Sequence, residues 1–431
     1  MPEACQILIR FNANRRKRLA VKLKSMKYLD LPHDYIKNCM KNIILFCLLY
    51  LISSCTSGTI KHEVFMDTEI ISVENAIKDD MSFLDSIEII PLESKDHTLM
   101  KEFSSFQYLK EQKMYMIIDS RQYVFLFDEN GDYISSSNAC RGEGPHDYLM
   151  AVDAVYNRYS NLIEIYSPVG QGIIHRYDLS FNWIENSRLS NSDNFAAMKM
   201  DLLDENIYAF EPVRNEEENL TIRLCDFSTD KTSHSKDVSL IEEGYVSTLT
   251  MMQKAFSQCD AALYYAPYYM DYHFYEYNLV QRNFKPIYEL DLGDKVTKKE
   301  LDEKLKDQIG SKEFFWKKCE YLLASEYLLP IIRMIDDSFV YACCIRNKKT
   351  YHLIYNRKTK KTYFLSPEAP VNMHRCYALQ DNVLATILFP YELEKYVNEE
   401  SRMYMSEKTL RRLEEVKDED NPVVIKYYLM K

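Results

Sequence analysis

Short apolar runs that alternate with polar residues fill the chain from about residue 81 onward, and each closes on a polar turn. Strict alternation places successive side chains on opposite faces of an extended strand, so these runs predict β-strands. Five runs share a form in which the strand ends in Asp or Asn: Val124–Asp128, Ile174–Asp178, Ile222–Asp226, Phe274–Asn278 and His352–Asn356. The terminal residues are spaced by 50, 48, 52 and 78 positions, and Val424–Tyr428 is a sixth, degenerate copy. The short carboxylate or amide predicts its own role, capping the turn that the strand runs into, and Glu129-Asn130-Gly131 after the first copy is a hairpin signal.

Ahead of each run lies a second strand-like segment: Met114–Asp119, Leu162–Tyr166, Asn206–Phe210, Ala261–Tyr265, Ser338–Ile345 and Val383–Leu388. Each of these follows a shorter one. Four short strands per unit at roughly 50-residue spacing predict a β-propeller, and the count gives six blades. The last unit ends at Lys431 after its third strand, whereas Ile87–Glu93 near the start is unassigned. Pairing that segment as the outer strand of the sixth blade closes the ring and hides an edge, and Pro91 suits an outer strand. The expected fold is therefore all-β, a six-bladed propeller over 81–431 closed by its N-terminal strand.

Two segments depart from the strand rhythm. Thr297-Lys298-Lys299-Glu300 is a capping box that opens a helix toward Ala324, and the stretch from Tyr391 to about Lys417 lacks Gly and Pro and reads as surface helix. A third insertion covers 239–252. With strands A to D running outward from the axis, the D-to-A and B-to-C connections leave from one face of the disc. The segments 139–150, 239–252, 294–327, 266–272 and 389–421 all fall in those two classes. The helical insertions are thus expected on one face, and long loops on a rigid scaffold make that face the candidate recognition surface.

Upstream, Ile43–Ile52 is the one long apolar run. Ten helical residues rise about 15 Å against a hydrocarbon core of about 30 Å, which is too short to span and suits a signal h-region. Lys41 precedes it and Ser53-Ser54-Cys55 follows. Small residues before a cysteine, behind Leu51-Ile52, resemble a bacterial lipoprotein box, and the resemblance implies lipidation of Cys55. Residues 1–39 carry nine Lys/Arg, including Arg15–Arg18, and fit poorly ahead of a signal. They read as a spurious upstream extension, with Met40 as the start, 40–54 as the signal peptide and 55–80 as a linker.

Charge changes the picture once this segment is set aside. The net charge is −11, and loss of the ten basic and three acidic residues of 1–54 takes it to −18. Such a body disfavours nucleic acid and anionic lipid, so no nucleic-acid partner is expected and membrane attachment rests on acyl chains. Aromatics make up 13% of the chain, with 34 tyrosines, which favours strands. Cys140, Cys225, Cys259, Cys319, Cys343, Cys344 and Cys376 are odd in number and irregularly spaced, without metal-ligand intervals, and read as buried thiols. Cys343 and Cys344 are neighbours on a strand and are expected on opposite faces.

Ile90-Pro91-Leu92-Glu93, the repeats and Gly142-Glu143-Gly144-Pro145-His146-Asp147-Tyr148 resemble the six-bladed propeller lipoproteins of gut Bacteroidetes, related to NHL-type and TolB-like propellers. The family pattern has Glu where Asp147 stands. The resemblance implies the fold and a cell-envelope location at the outer membrane, and says little of activity.

Candidate chemistry is sparse. Arg141, His146 and Tyr148 flank two glycines whose amides can form an anion nest, although the loop also reads as a structural turn between blades. The densest aromatic patch runs from Tyr264 to Tyr277, and its loop residues Tyr268, Tyr269 and Tyr272 are candidate contacts for a glycan or peptide. No metalloprotease helix motif or nucleophile elbow occurs, so no catalytic residue and no cofactor are assigned. The function these readings favour is a lipid-anchored binding module that presents its loop face to a glycan, peptide or protein. The alternative is a calcium-dependent hydrolase or lactonase at the channel mouth, with Asp153, Asp204 and Asp336 near strand ends as candidate ligands. The state of the channel mouth discriminates between them, since a convergent carboxylate ring argues enzyme and a polar or aromatic rim argues binding.

Overall fold

The computed structural model describes residues 68–430 apart from 170–171, 190–196, 213–220, 229–233, 240–244, 247–251, 260–261, 268, 282 and 309–313. The chain divides into Met1–Val64, which lies outside the described residues together with the proposed signal and Cys55, and Phe65–Lys431, which holds everything below.

Six antiparallel sheets form the blades of a propeller. From the axis outward, blade 1 is Phe103–Leu109, Met114–Asp119, Val124–Asp128 and Tyr133–Ser136. Blade 2 is Asp153–Asn157, Leu162–Ser167, Ile173–Tyr177 and Trp183–Arg188, and blade 3 is Ala197–Asp204, Ile207–Pro212, Thr221–Asp226 and His234–Ser239. Blade 4 is Phe256–Gln258, Leu263–Tyr265, His273–Asn278 and Asn283–Asp291, and blade 5 is Leu329–Ile335, Phe339–Arg346, Lys349–Asn356 and Lys361–Leu365. In blade 6, Ala378–Gln380, Val383–Leu388 and Val423–Leu429 are completed by Leu84–Pro91, whose register runs from Val423 opposite Pro91 to Leu429 opposite Leu84. The ring closes as the strand arithmetic predicts.

The repeated Asp/Asn acts as expected. Asp128 Oδ1 accepts from Asn130 N and Asp132 N at 2.8 and 2.9 Å, and Asp178 Oδ1 accepts from Ser180 N and Asn182 N at the same distances. Asp226 receives Ser228 N at 2.9 Å. Asn278 receives Val280 N and Gln281 N at 3.0 and 2.8 Å, and Asn356 receives Lys358 N and Thr359 N, both at 3.0 Å. Each C-to-D turn is thus tied by the side chain that opens it, satisfying amides that have no ladder partner.

Packing follows from blades pressed against blades on both faces. In Phe339–Arg346, Phe339, Tyr341, Cys343 and Ile345 join the core cluster shared with blades 6 and 1. Val340, Ala342 and Cys344 join the one shared with blade 4, so the two cysteines face opposite seams. A buried aromatic or aliphatic side chain in such a seam contributes roughly 1.5–3 kcal/mol. None of the seven described cysteines is in a disulfide.

Two features were not legible beforehand. Residues read as linker contain strands Glu69–Ser72 and Ile77–Lys78, which pair parallel to the outer strands of blades 4 and 5. Residues 69–91 therefore strap three successive blade edges. The insertion 389–421 contains three short helices, Leu393–Tyr396, Glu399–Arg402 and Glu407–Glu415, and folds back over the outer strand of blade 6. There Ile87 N donates to Tyr404 O at 2.9 Å and Arg412 lies 3.7 Å from Glu88. Covering outer strands in this way removes open edges that invite aggregation. The other insertion holds two helices, Lys298–Leu305, capped by Thr297 Oγ1 accepting from Glu300 N at 3.2 Å, and Phe314–Ala324. No helix among the described residues is long and apolar enough to cross a membrane.

Candidate functional site

The glycine-marked loop between blades 1 and 2 folds onto itself. Tyr148 N donates to Cys140 O at 3.0 Å and Gly142 N to Tyr148 O at 3.1 Å. The carboxylate of Asp147 turns back into the concavity, where Gly144 N donates to its Oδ2 at 3.1 Å. A Cβ at Gly142 or Gly144 would stand 2.6 Å from that oxygen, so glycine at both positions is what lets Asp147 enter. The anion in this nest is the chain's own. Tyr148 is fully buried, with its hydroxyl 2.5 Å from Ser137 Oγ and donating to Gln122 O at 3.0 Å. Arg141 donates to Arg121 O at 2.5 Å, and the exposed His146 ring stacks on Trp183 with centroids 3.8 Å apart. These three candidates sit together, engaged in holding a turn.

The aromatic patch sorts by strand alternation. Tyr264 and Tyr272 enter the seam between blades 4 and 5, whereas Tyr265, Tyr275 and Tyr277 enter the seam between blades 3 and 4. Tyr272 is 7% exposed, with Lys295 over its ring at 4.8 Å, so it is a packing residue. Tyr269 lies in a two-residue strand that pairs with Tyr245–Val246, and Tyr268 lies outside the described residues.

The chain's own cavity opens elsewhere. A space of about 610 Å³ lies on the axis, lined by the innermost strands of all six blades and by the A-to-B turns of blades 1, 2, 5 and 6, including Glu111, Gln112, Arg158, Asp337 and Asp381. It therefore opens on the face of short turns, opposite the face from which the long insertions leave. Its walls carry Phe106, Tyr108, Tyr156, Phe256 and Tyr377 with the amides of Gln107, Gln112, Gln258 and Gln380. The volume falls in the range of small-molecule sites, and the lining is more polar than apolar.

The carboxylates proposed from sequence as metal ligands are not brought together. Asp336 accepts from Ser338 N, Phe339 N and Asn382 N at 2.7–2.9 Å, tying the first turns of blades 5 and 6. Asp204 accepts from Glu205 N at a turn, and Asp381 pairs with Lys110 at 3.0 Å. Among the described residues no group of three His, Cys, Asp or Glu is placed to hold a metal ion. The rim is polar and aromatic.

Away from the short turns the cavity ends in charge. Asp153, at the start of the inner strand of blade 2, accepts from Met200 N at 3.0 Å and from Lys254 Nζ of blade 4 at 2.6 Å. Lys254 also donates to Met200 O at 2.9 Å, and Lys199 lies 4.0 Å from Asp153. Burial works against the charged form of Asp153, but the two lysines outweigh it and hold its carboxyl below the ordinary value. Asp201, 4% exposed and lining the cavity, goes the other way, because burial exceeds the pull of Lys254 and Lys199 and pushes its carboxyl up to about 6. Its Oδ2 accepts no hydrogen bond among the described residues. Sequence reasoning missed Asp201 and Lys254. Asp201 is one residue of a strand and Lys254 lies just ahead of another, 53 positions on, and only assembly of the ring puts them at one end of one cavity.

Comparison with known proteins fixes the kinship. A family described as "Domain of unknown function (DUF4934)" matches residues 68–428. The chain belongs to that family. Its match begins just ahead of the first edge strap. Among solved structures, the chain is similar to a protein of Bacteroides fragilis NCTC 9343 assigned as exported, whose crystal structure was determined at 2.60 Å. The TM-score is 0.62 at 16% identity, over 84% of this chain and 100% of that one, a likeness of fold. The N-terminal domain of Nup159 gives a TM-score of 0.37 at 7% identity over 74% and 77% of the two chains. The dihydro-heme d1 dehydrogenase NirN gives 0.36 at 8% over 71% and 59%. No curated protein matches.

Proposed function

We propose that this member of the family is an extracytoplasmic binding module, anchored through a lipid on Cys55, that holds a small ligand or the protruding group of a glycan or peptide in its channel mouth. The observation that carries the reading is the axial cavity, enclosed by all six blades and rimmed by aromatic rings and amides, with the rim acids Asp336 and Asp381 already bonded within the fold. The sequence around Cys55 supports the anchor, and the assignment of the Bacteroides fragilis protein as exported supports the location. Relative to the reading from sequence, the ligand site moves from the loop face to the short-turn face. The insertion 389–421 serves the edge of blade 6 instead.

Two measurements test this. Cys55→Ala is expected to release the protein from the membrane fraction, and retention there would refute the anchor. A thermal-shift screen of the detergent-solubilised full-length protein against sugars, amino acids and amines is expected to give hits that disappear in Ala378→Trp, which fills the cavity from blade 6. Hits that survive that substitution would place binding elsewhere.

A further inference from the structure

The cavity wall carries neutral polar groups whose orientation the fold settles. Gln107, on the inner strand of blade 1, donates from Nε2 to Ala154 O at 2.9 Å. Gln380, at the end of the inner strand of blade 6, accepts at Oε1 from Lys110 N at 3.2 Å. A carbonyl oxygen only accepts and a backbone N–H only donates, so neither amide can be turned over. Gln107 is left with its accepting end and Gln380 with its donating end. Both are half-buried in the cavity wall, and among the described residues neither of these ends is bonded. Blade 4 stands opposite blade 1 in a ring of six. There Ser257 and Gln258 line the cavity with a hydroxyl and an amide, which likewise make no hydrogen bond among the described residues.

A ligand that enters must replace water at each of these groups, and one that does not reproduce those bonds loses affinity. The requirement is for donors and acceptors on opposite edges of one molecule. An amine only donates and a carboxylate only accepts, and either one at the end of an apolar body reaches a single wall. A hydroxyl does both, and a sugar ring carries hydroxyls around its circumference. An extended peptide brings amides too, but spaces them with side chains that call for apolar pockets, and this lining is more polar than apolar. Resting on the cavity as the binding site, we propose that its ligand is a neutral saccharide. Its hydroxyls bond Gln107 and Gln380 on one side and Ser257 and Gln258 on the other. Tyr156, Phe256 and Tyr377 line the same space and take the C–H faces of the ring.

Calorimetry on the detergent-solubilised full-length protein decides it. The sugars are glucose, galactose, mannose, xylose, lactose and cellobiose, and the comparators are phenethylamine, 3-phenylpropionate and N-acetyl-dialaninamide. At least one sugar is expected to bind about tenfold or more tightly than any comparator. Gln258→Ala removes an exposed side chain that makes no bond among the described residues, so a loss there is not a loss of fold. Gln380→Glu keeps the acceptor for Lys110 N and loses the donor to the ligand. Each is expected to weaken the sugar about fivefold or more. Absence of sugar binding, a comparator bound as tightly as the best sugar, or an affinity that either variant leaves intact overturns the assignment. If only a comparator binds, the dialaninamide included, and Ala378→Trp abolishes it, the saccharide fails and the cavity stands. If sugar binding survives Ala378→Trp, or no probe binds, both fail.

Discussion

The loop Arg141–Tyr148 and the charged end of the cavity are built from similar materials and reach opposite states. Both gather a carboxylate, backbone amides and basic side chains within a few ångströms. In the loop, Asp147 fills the nest formed by the glycines, Tyr148 is fixed by Ser137 and Gln122, and Arg141 is turned onto the carbonyl of Arg121. In the cavity, Lys254 bridges Asp153 and Met200 O, yet among the described residues Asp201 Oδ2 and Asp153 Oδ1 both stay buried without a donor. A polar cluster that satisfies itself holds the fold, and one that leaves a buried group unmet is available to a ligand. Glycine spacing and the density of aromatic residues drew attention to the first kind of place.

Perturbing the two places should separate them. The largest effect is expected from Tyr148→Ala, which removes a fully buried ring and two hydroxyl contacts between blades 1 and 2, for a loss of about 3–5 kcal/mol in urea unfolding. Affinity for any cavity probe should be unchanged in the fraction that remains folded; a variant that is stable but no longer binds would make the loop part of the site. Next comes Asp201→Asn, with the opposite sign. A carboxyl raised from 3.8 to about 6 in the fold binds its proton more tightly there than in the unfolded chain. That proton stabilises the fold below about pH 4, and the advantage is lost as pH rises through 6. At pH 7 the ionised, buried group costs up to about 3 kcal/mol, which the amide avoids. The variant should therefore be the more stable protein at pH 7, with the gap closing near pH 4. Equal unfolding midpoints at both pH values would show that Asp201 is not strained in the free protein.

How much of this was legible beforehand divides along the same line. The blade count, the ring closure and the role of Asp128, Asp178, Asp226, Asn278 and Asn356 followed from local chemistry, because alternation and a capping carboxylate act within a few residues. The connections 139–150, 294–327 and 389–421 leave as assigned because strand order alone determines their face, whereas 239–252 lies mostly outside the described residues. Edge straps at Glu69–Ser72 and Ile77–Lys78 were invisible, since two to four residues carry no period and their pairing partners lie more than 200 positions away. The fold-back of 389–421 onto Ile87 was invisible for a similar reason: helix composition reports a solvated face and not the strand that the other face covers. Asp201 had no local mark at all. Its distinction is a mismatch between burial and bonding, which exists only after six blades close.

The smaller effects bring the comparison down to single contacts. Asp147→Ala empties the nest and leaves the Gly144 amide without its acceptor, for a loss of about 1 kcal/mol. The emptied nest would then be open to a solution anion, so added sulfate should recover part of the lost stability in the variant and none in the parent; equal response of the two proteins would mean that the glycines do not converge on Asp147. Arg141→Ala is expected to change stability least, by about 0.5 kcal/mol or less. Its side chain is exposed, it donates to Arg121 O at 2.5 Å and more distantly to Leu149 O at 3.4 Å, and water replaces it at both carbonyls. The informative part is its charge. Were Arg141 a ligand contact, its loss would weaken binding of an anionic probe such as 3-phenylpropionate without touching the midpoint. With the nest already filled by Asp147, the affinity of every probe should instead stay constant, and a selective loss for the anion would reopen the loop face as a recognition surface.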